Sequence, residues 1–244
     1  MRLACLVVLA ALSSLATPNP GRAQDTEGPF SPPRFWLGME FHGGDGTGEF
    51  GEQVEGVWGF ELVGRWAPQP SSWWMYRVDL GLLTYGEEEF SVCAPPPVGC
   101  RIVTEVTTSN DIAFAGVGPE LRFAGDRLYL FGTLGLSYFT TSSSVSGASV
   151  SESLLTTEHF SDTVLAFRFG GGWRFLVRKG RYPFRIDLGA EYHYNGVAEY
   201  LLEGNVIDNP DGTLTLVTTR GRANVFTIRL GFSFGFGTGL PSEG

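Results

Sequence analysis

Bulky apolar residues occupy every second position in eight separate segments of this chain. The segments are Phe35–Phe41, Trp58–Trp66, Trp74–Leu82, Ala113–Phe123, Leu128–Tyr138, Leu165–Phe175, Phe184–Tyr194 and Phe226–Phe236. A period of two is the pattern of a β-strand with two unlike faces. The 34 glycines are spread through the apolar segments, which weighs against helices because each glycine costs a helix about 1 kcal/mol. The sequence therefore predicts an all-β fold with an even number of strands.

The faces opposite the bulky residues contain glycine and balanced charge. Their ionisable residues are Glu40, Glu61, Arg65, Arg77, Asp79, Glu120, Arg122, Arg168, Arg174, Arg185, Asp187, Glu191 and Arg229. Repeated glycine indicates crowding, and the interior of an eight-stranded barrel is just wide enough for side chains. We therefore predict that these charged residues form an ion-pair network that plugs the lumen.

Alternation alone is also compatible with a soluble barrel whose bulky face points inward. A soluble barrel would place assorted polar residues, lysine included, on its outer face, but this chain has a single lysine, Lys179. Its connections also alternate between short turns and long segments, the latter covering residues 43–56, 86–111, 141–162 and 195–222. Short periplasmic turns and long external loops are typical of outer-membrane barrels. The sequence predicts an eight-stranded antiparallel up-and-down transmembrane β-barrel over residues 34–236, located in the cell outer membrane.

The N-terminus predicts export. Arg2 precedes an apolar run from Leu3 to Leu12, and small residues then provide cleavage sites at Ala23 or, alternatively, Ala16. We expect a signal peptide over residues 1–23, a periplasmic segment over 24–33 and a short tail over 237–244. Loss of Arg2 and Arg22 changes the net charge from −9 to about −11. Such an acidic chain is a poor partner for nucleic acid.

The last strand carries the most specific motif. In "RLGFSFGF", Gly231 is followed by Phe232, Phe234 and Phe236 at alternate positions. This ending resembles the C-terminal assembly signal of bacterial outer-membrane proteins, and the chain resembles the small eight-stranded barrels of the OmpA and OmpX type. The resemblance implies recognition of the last strand by the barrel-assembly machinery, contact with outer-membrane lipid and a monomeric barrel. Only "GTGLPSEG" follows the last strand, so a peptidoglycan-binding domain like that of full-length OmpA proteins is not expected.

The long connections indicate a surface role. They contain sixteen acidic residues against three arginines, Arg101, Arg220 and Arg222. Cys93 and Cys100 are expected to form a disulfide at one tip, as two nearby cysteines usually do in an oxidising compartment. The "NPDG" signal at 209–212 predicts a projecting hairpin between the last two strands. Exposed hairpin edges could recruit an extracellular protein partner by strand addition. The expected function is membrane integrity or surface interaction and adhesion.

Two other functions stay open. His159 and Ser161 have the spacing of a histidine base and serine nucleophile, and they resemble the pair in outer-membrane lipid A deacylases and phospholipases. A third catalytic residue is missing, because the following stretch is "FGGGWRF". A channel for small hydrophobic solutes is the other alternative.

We predict no catalytic residue, metal site or cofactor. We expect His42 and His193 to lie on the lumen side near the external rim.

Overall fold

A computed structural model describes residues 33–54, 56–93, 103–147, 150–180, 182–202, 205–208 and 214–236. Its strands are β1 Phe35–Thr47, β2 Val57–Trp66, β3 Trp74–Cys93, β4 Val103–Phe123, β5 Leu128–Gly147, β6 Val150–Arg178, β7 Phe184–Asn195, β8 Val197–Tyr200, β9 Val206–Asp208, β10 Leu214–Leu216, β11 Thr219–Arg222 and β12 Asn224–Phe236. The described residues include no helix that is long and apolar enough to cross a bilayer.

Eight of these strands form a closed antiparallel barrel. Going around the wall, the order is β1, β12, β7, β6, β5, β4, β3 and β2. The first and last strands pair from Phe35 with Phe236 to Thr47 with Asn224, which closes the wall. Closure removes the free sheet edges that lipid could not hydrogen-bond. The predicted fold class is confirmed.

The barrel wall is apolar outside and polar inside. Lipid-facing leucines are largely exposed on the outer surface, with Leu134 62 % and Leu165 69 % exposed, whereas most charged residues of the opposite face are buried. Short turns at 67–73, 124–127 and 179–183 join strands at one end, which is the periplasmic end in barrels of this class. The exposed apolar side chains form the surface that lipid covers in an outer-membrane barrel.

Half of the wall continues well beyond this apolar band. Gly86–Cys93, Val103–Asn110, Thr141–Gly147 and Val150–Glu158 pair in succession as a four-stranded extension, which we call the projecting sheet. β2 pairs with β3 only as far as Thr84, and β7 pairs with β6 only as far as Ala166. Eight further residues of β3 extend about 25 Å at the usual rise per residue. Much of the sequence that was assigned to external connections is therefore strand.

The segment between β7 and β12 is not a simple extension of those two strands. β8 and β11 pair as a separate two-stranded sheet, and β9 and β10 form another. The break occurs at Gly196, whose N–H donates to the Leu165 carbonyl at 2.9 Å. Ala198, Tyr200 and Leu201 are buried after this turn. The expected projecting hairpin therefore bends over the barrel mouth, because bending removes these apolar side chains from water.

Candidate functional site

The barrel interior contains a dense set of charged side chains. Eleven of the thirteen residues in the predicted network are at most 3 % exposed, namely Glu40, Glu61, Arg65, Arg77, Asp79, Glu120, Arg168, Arg174, Asp187, Glu191 and Arg229. The other two, Arg122 and Arg185, are partly exposed at the periplasmic end. Arg122 donates to the carbonyl oxygens of Pro70 and Ser72, so it joins the turn rather than the central network.

The half of the network nearer the periplasm is centred on Glu120. Its carboxylate accepts from Arg65 Nε at 3.0 Å and lies 2.7 Å from Arg174 Nη2. Arg174 also donates from Nε to Asp187 at 2.7 Å, and Asp187 accepts from the Ser233 hydroxyl at 3.1 Å. Each carboxylate thus has guanidinium partners at hydrogen-bond distance, the arrangement that offsets the cost of burying charge.

Arg77 holds together the next layer. Glu40 and Glu61 stand directly opposite each other on β1 and β2, where like charges repel. Arg77 lies between them, 2.7 Å from Glu61 and 3.7 Å from Glu40, and it also donates to Asp79 at 3.2 Å. Glu40 accepts further bonds from Arg65 and Arg229. These bonds link the neighbouring strands β12, β1, β2 and β3, and Arg168 on β6 donates across the lumen to Asp79 on β3.

Inward aromatic rings fill the space that the ion pairs leave. The Arg77 guanidinium lies 4.0 Å from the ring centre of Phe131, Arg168 lies 4.2 Å from that of Phe114, and Arg174 lies 3.9 Å from that of Tyr129. These distances are within the cation–π range. The sequence analysis did not assign these aromatic residues to the lumen. Strict alternation could have found them, since Tyr129 and Phe131 alternate with the lipid-facing Leu128 and Leu130.

Glycines stand opposite the buried charges across the strands. The pairs are Glu61 with Gly81, Asp79 with Gly116, Arg77 with Gly118, Glu191 with Gly170, Arg229 with Gly189 and Glu40 with Gly231. A Cβ on Gly116 would lie 2.9 Å from Asp79 Oδ1, and one on Gly231 would lie 2.6 Å from Glu40 Cγ. A side chain at Gly116 would displace the charged ends of Asp79 and Arg168, and one at Gly231 would also lie 2.9 Å from the Met39 carbonyl oxygen. This explains why the lumen faces alternate between glycine and charge.

Gly231 belongs to the C-terminal motif, whose phenylalanines face the other way. Phe232, Phe234 and Phe236 are all more than a third exposed on the outer surface. Phe234 contacts Phe184 on the neighbouring strand, with ring centres 4.9 Å apart. The motif therefore has one face for lipid and one for the crowded lumen.

Two histidines lie at the external side of the network. His42 Nε2 is 2.9 Å from Glu61 and its Nδ1 is 3.1 Å from Thr227 Oγ1. His193 Nε2 is 3.4 Å from Glu191. Both histidines are buried. The sequence analysis had placed them on the lumen side of the rim.

Two overlapping groups of histidine and glutamate side chains have their ligand atoms close enough together to hold a metal ion. They are His42, Glu191 and His193, and Glu40, His42 and Glu61. Arg229 and Arg168 lie 3.4 Å and 3.7 Å from the Glu191 carboxylate. These guanidinium groups already supply the positive charge that the carboxylate requires, so we assign the histidines to the ion-pair network.

An apolar cap closes the barrel at its external end. It is formed by Phe50, Val54, Val57, Leu83, Tyr85, Ile112, Phe114, Phe139, Ala198, Tyr200, Ala223 and Val225. The ring of Phe50 lies 5.3 Å from both Tyr85 and Tyr200, and the Tyr85 hydroxyl donates to the Leu201 carbonyl at 3.1 Å. Burial raises the pKa of both tyrosine hydroxyls. The connection at 43–56 thus folds inward, which its acidic composition did not indicate.

A β-bulge supplies one member of this cap. The register between β3 and β4 shifts so that Tyr85 has no partner residue, between Thr84 opposite Asp111 and Gly86 opposite Asn110. A bulge re-aims side chains and bends its strand. Here it buries Tyr85 in the mouth and begins the projecting sheet.

The remaining predicted residues lie outside this site. Ser161 is exposed on β6, opposite Thr140. The side chain of His159 is outside the described part of the chain. Cys93 is the last residue of β3, but Cys100 lies outside the described residues, as does the predicted disulfide.

Solved structures with similar folds are outer-membrane proteins. The Yersinia pestis attachment invasion locus protein Ail is 17 % identical over 84 % of this chain and 99 % of its own, with a TM-score of 0.46. Neisserial surface protein A is 12 % identical over 83 % of this chain and 97 % of its own, with a TM-score of 0.42. A major outer membrane protein of Thermus thermophilus is 13 % identical over 83 % and 99 %, with a TM-score of 0.41. No family model and no curated protein matches this chain.

Proposed function

We propose that this protein is a closed, non-conducting barrel that presents its projecting sheet to protein partners at the cell surface. The free edge of β3 carries this proposal, because Gly86–Cys93 has no strand beside it on the β2 side within the described residues. An unpaired edge offers backbone donors and acceptors that an extended peptide can bond. Barrel closure leaves the external surface as the part of the molecule that meets other proteins.

The charge of this edge selects the partner. Glu87, Glu88 and Glu89 follow one another along β3, and Glu87 and Glu89 are exposed. Added strands place alternate side chains on the two faces of the sheet. A partner strand with lysine or arginine at alternate positions would pair with these acids, whereas an acidic polymer would be repelled.

The corresponding edge of β6 is less available. The N–H of Glu199 in β8 donates to the Asp162 carboxylate at 2.8 Å, and the Gly196 N–H donates to the Leu165 carbonyl at 2.9 Å. These bonds place the β8 segment against the base of the β6 edge. The β3 edge is therefore the better candidate for strand addition.

Peptide selection tests the surface role. Random peptides displayed on phage are panned on the purified barrel, and binders are counter-selected on a variant whose residues 87–109 are replaced by a short turn. We expect the surviving peptides to alternate basic and apolar residues and to slow amide exchange over residues 86–93. Peptides that bind both proteins equally, or that leave exchange at this edge unchanged, would contradict the proposal.

Planar-bilayer recording tests the closed lumen. The ion-pair layers and the apolar cap both lie across the axis of the barrel, so we expect no steady current from the wild-type protein. Because the network lies below the cap, removal of the cap by Phe50→Ala and Tyr200→Ala is also expected to leave the current at background. A steady current, as expected of a barrel with a water-filled lumen, would overturn the closed-lumen proposal.

A further inference from the structure

A basic pocket lies at the periplasmic end of the barrel, where the apolar band of the outer surface ends. Its lining includes Arg127 from the β4–β5 turn, Lys179 from the β6–β7 turn and Arg185 from β7. Trp173 and Phe175 line the same pocket and are at least half exposed on the lipid-facing surface. The pocket therefore joins the apolar band to the positively charged turns.

The pocket has one carboxylate, and that group is already compensated. Asp126 lies 2.6 Å from Arg185, 3.2 Å from Arg174 and 3.4 Å from Arg122. Three guanidinium groups thus share one negative charge. Asp126 was not assigned to the network by the sequence analysis, although it lies in a turn that the sequence predicted.

Two cations in the pocket have no side-chain partner among the described residues. The side chains of Arg127 and Lys179 are exposed, and within the described residues neither forms an ion pair or side-chain hydrogen bond. The Arg127 backbone is fixed between β5 and β6, since its carbonyl accepts from the Arg174 N–H at 2.7 Å and its N–H donates to the Phe123 carbonyl at 3.2 Å. The turns therefore place two exposed positive charges beside exposed aromatic rings.

We propose that this pocket binds the phosphate of a phospholipid in the membrane leaflet that faces the periplasm. Arg127 and Lys179 would hold the phosphate oxygens, with Arg185 at the base of the pocket, and the acyl chains would lie along Trp173 and Phe175. Guanidinium and ammonium groups are the usual protein ligands of phosphate. Basic pockets next to a membrane-facing surface bind anionic lipid headgroups by the same chemistry.

Lipid retention measured by native mass spectrometry tests this site. The detergent-solubilised barrel is titrated with phosphatidylglycerol, and the wild type is compared with Arg127→Gln, Lys179→Gln and the double variant. Each basic residue near a membrane surface is worth about 1 kcal/mol, or roughly fivefold in affinity. We expect affinity to fall about fivefold in each single variant and about 25-fold in the double variant.

The control removes the same charge at the other end of the barrel. Arg220 and Arg222 line a groove at the external mouth, and the pair Arg220→Gln and Arg222→Gln is expected to retain lipid like the wild type. An equal loss in this control, or no loss in the Arg127 and Lys179 double variant, would overturn the proposal. Complete displacement of lipid by millimolar inorganic phosphate would also overturn it and would assign the pocket to free phosphate. Heat-modifiable migration on gels confirms that each variant is folded.

Discussion

Replacement of Glu120 by glutamine is expected to destabilise the barrel by about 3–5 kcal/mol. The Glu120 carboxylate is fully buried and lies within 3.0 Å of Arg65 and Arg174, with Arg77 at 3.6 Å. Glutamine has nearly the same size but no charge, so three guanidinium groups lose an anion. Removal of one partner from a buried ion pair costs about 3–5 kcal/mol. The free energy of unfolding, measured by urea titration in phospholipid vesicles, is expected to fall by that amount.

Glu199 provides the matched control. It is exposed in β8, and Glu199→Gln makes the same chemical change outside the barrel wall. Surface substitutions usually alter stability by less than about 0.5 kcal/mol, and we expect that result here. Similar unfolding free energies for the two variants would mean that the lumen charges are hydrated rather than paired.

Replacement of Leu134 by arginine is expected to cost about 2–4 kcal/mol, the penalty for a cation on the lipid face near the bilayer midplane. Leu134 is 62 % exposed on the outer wall, pairs with Val117 and Phe167 and lies midway along the lipid-facing part of β5. If water covered this position, an arginine there would change the free energy of unfolding by less than about 0.5 kcal/mol. The substitution therefore tests directly whether lipid covers this surface.

Val217→Arg is the control for that experiment. Val217 is 46 % exposed and follows β10 in the external segment, where its N–H donates to the Asn205 carbonyl at 3.0 Å. Arginine there is expected to leave the unfolding free energy in vesicles unchanged within about 0.5 kcal/mol. If Leu134→Arg proved equally neutral, the apolar band would not be the lipid-facing surface.

The sequence was sufficient for the wall of the barrel. Alternation placed Leu134 outside and Glu120 inside, because successive side chains of a strand must point to opposite faces. The sorting of short and long connections predicted that the short turns share one end, as the structure shows. Glycine opposite charge was also visible as a pattern, although the reason for it, the lack of space at Gly116 and Gly231, is a property of the closed barrel.

The ends of the barrel were not predictable in the same way. Phe50 and Tyr200 lie in segments with no regular alternation, and both are buried in the apolar cap. Their burial depends on the β-bulge at Tyr85 and the break at Gly196, which no local propensity specified. Asp126 likewise is a simple turn residue in sequence but has three arginine partners in the structure.

The sequence by itself therefore determined which residues face lipid and which face the lumen, because successive side chains of a strand point to opposite faces of the wall. The tertiary structure alone decided which charges pair and what closes the mouth. Those outcomes depend on distances across the barrel between residues that are far apart in the chain, such as Asp79 on β3 and Arg168 on β6. Ring closure and strand register fix these distances, and neither is encoded in any single segment.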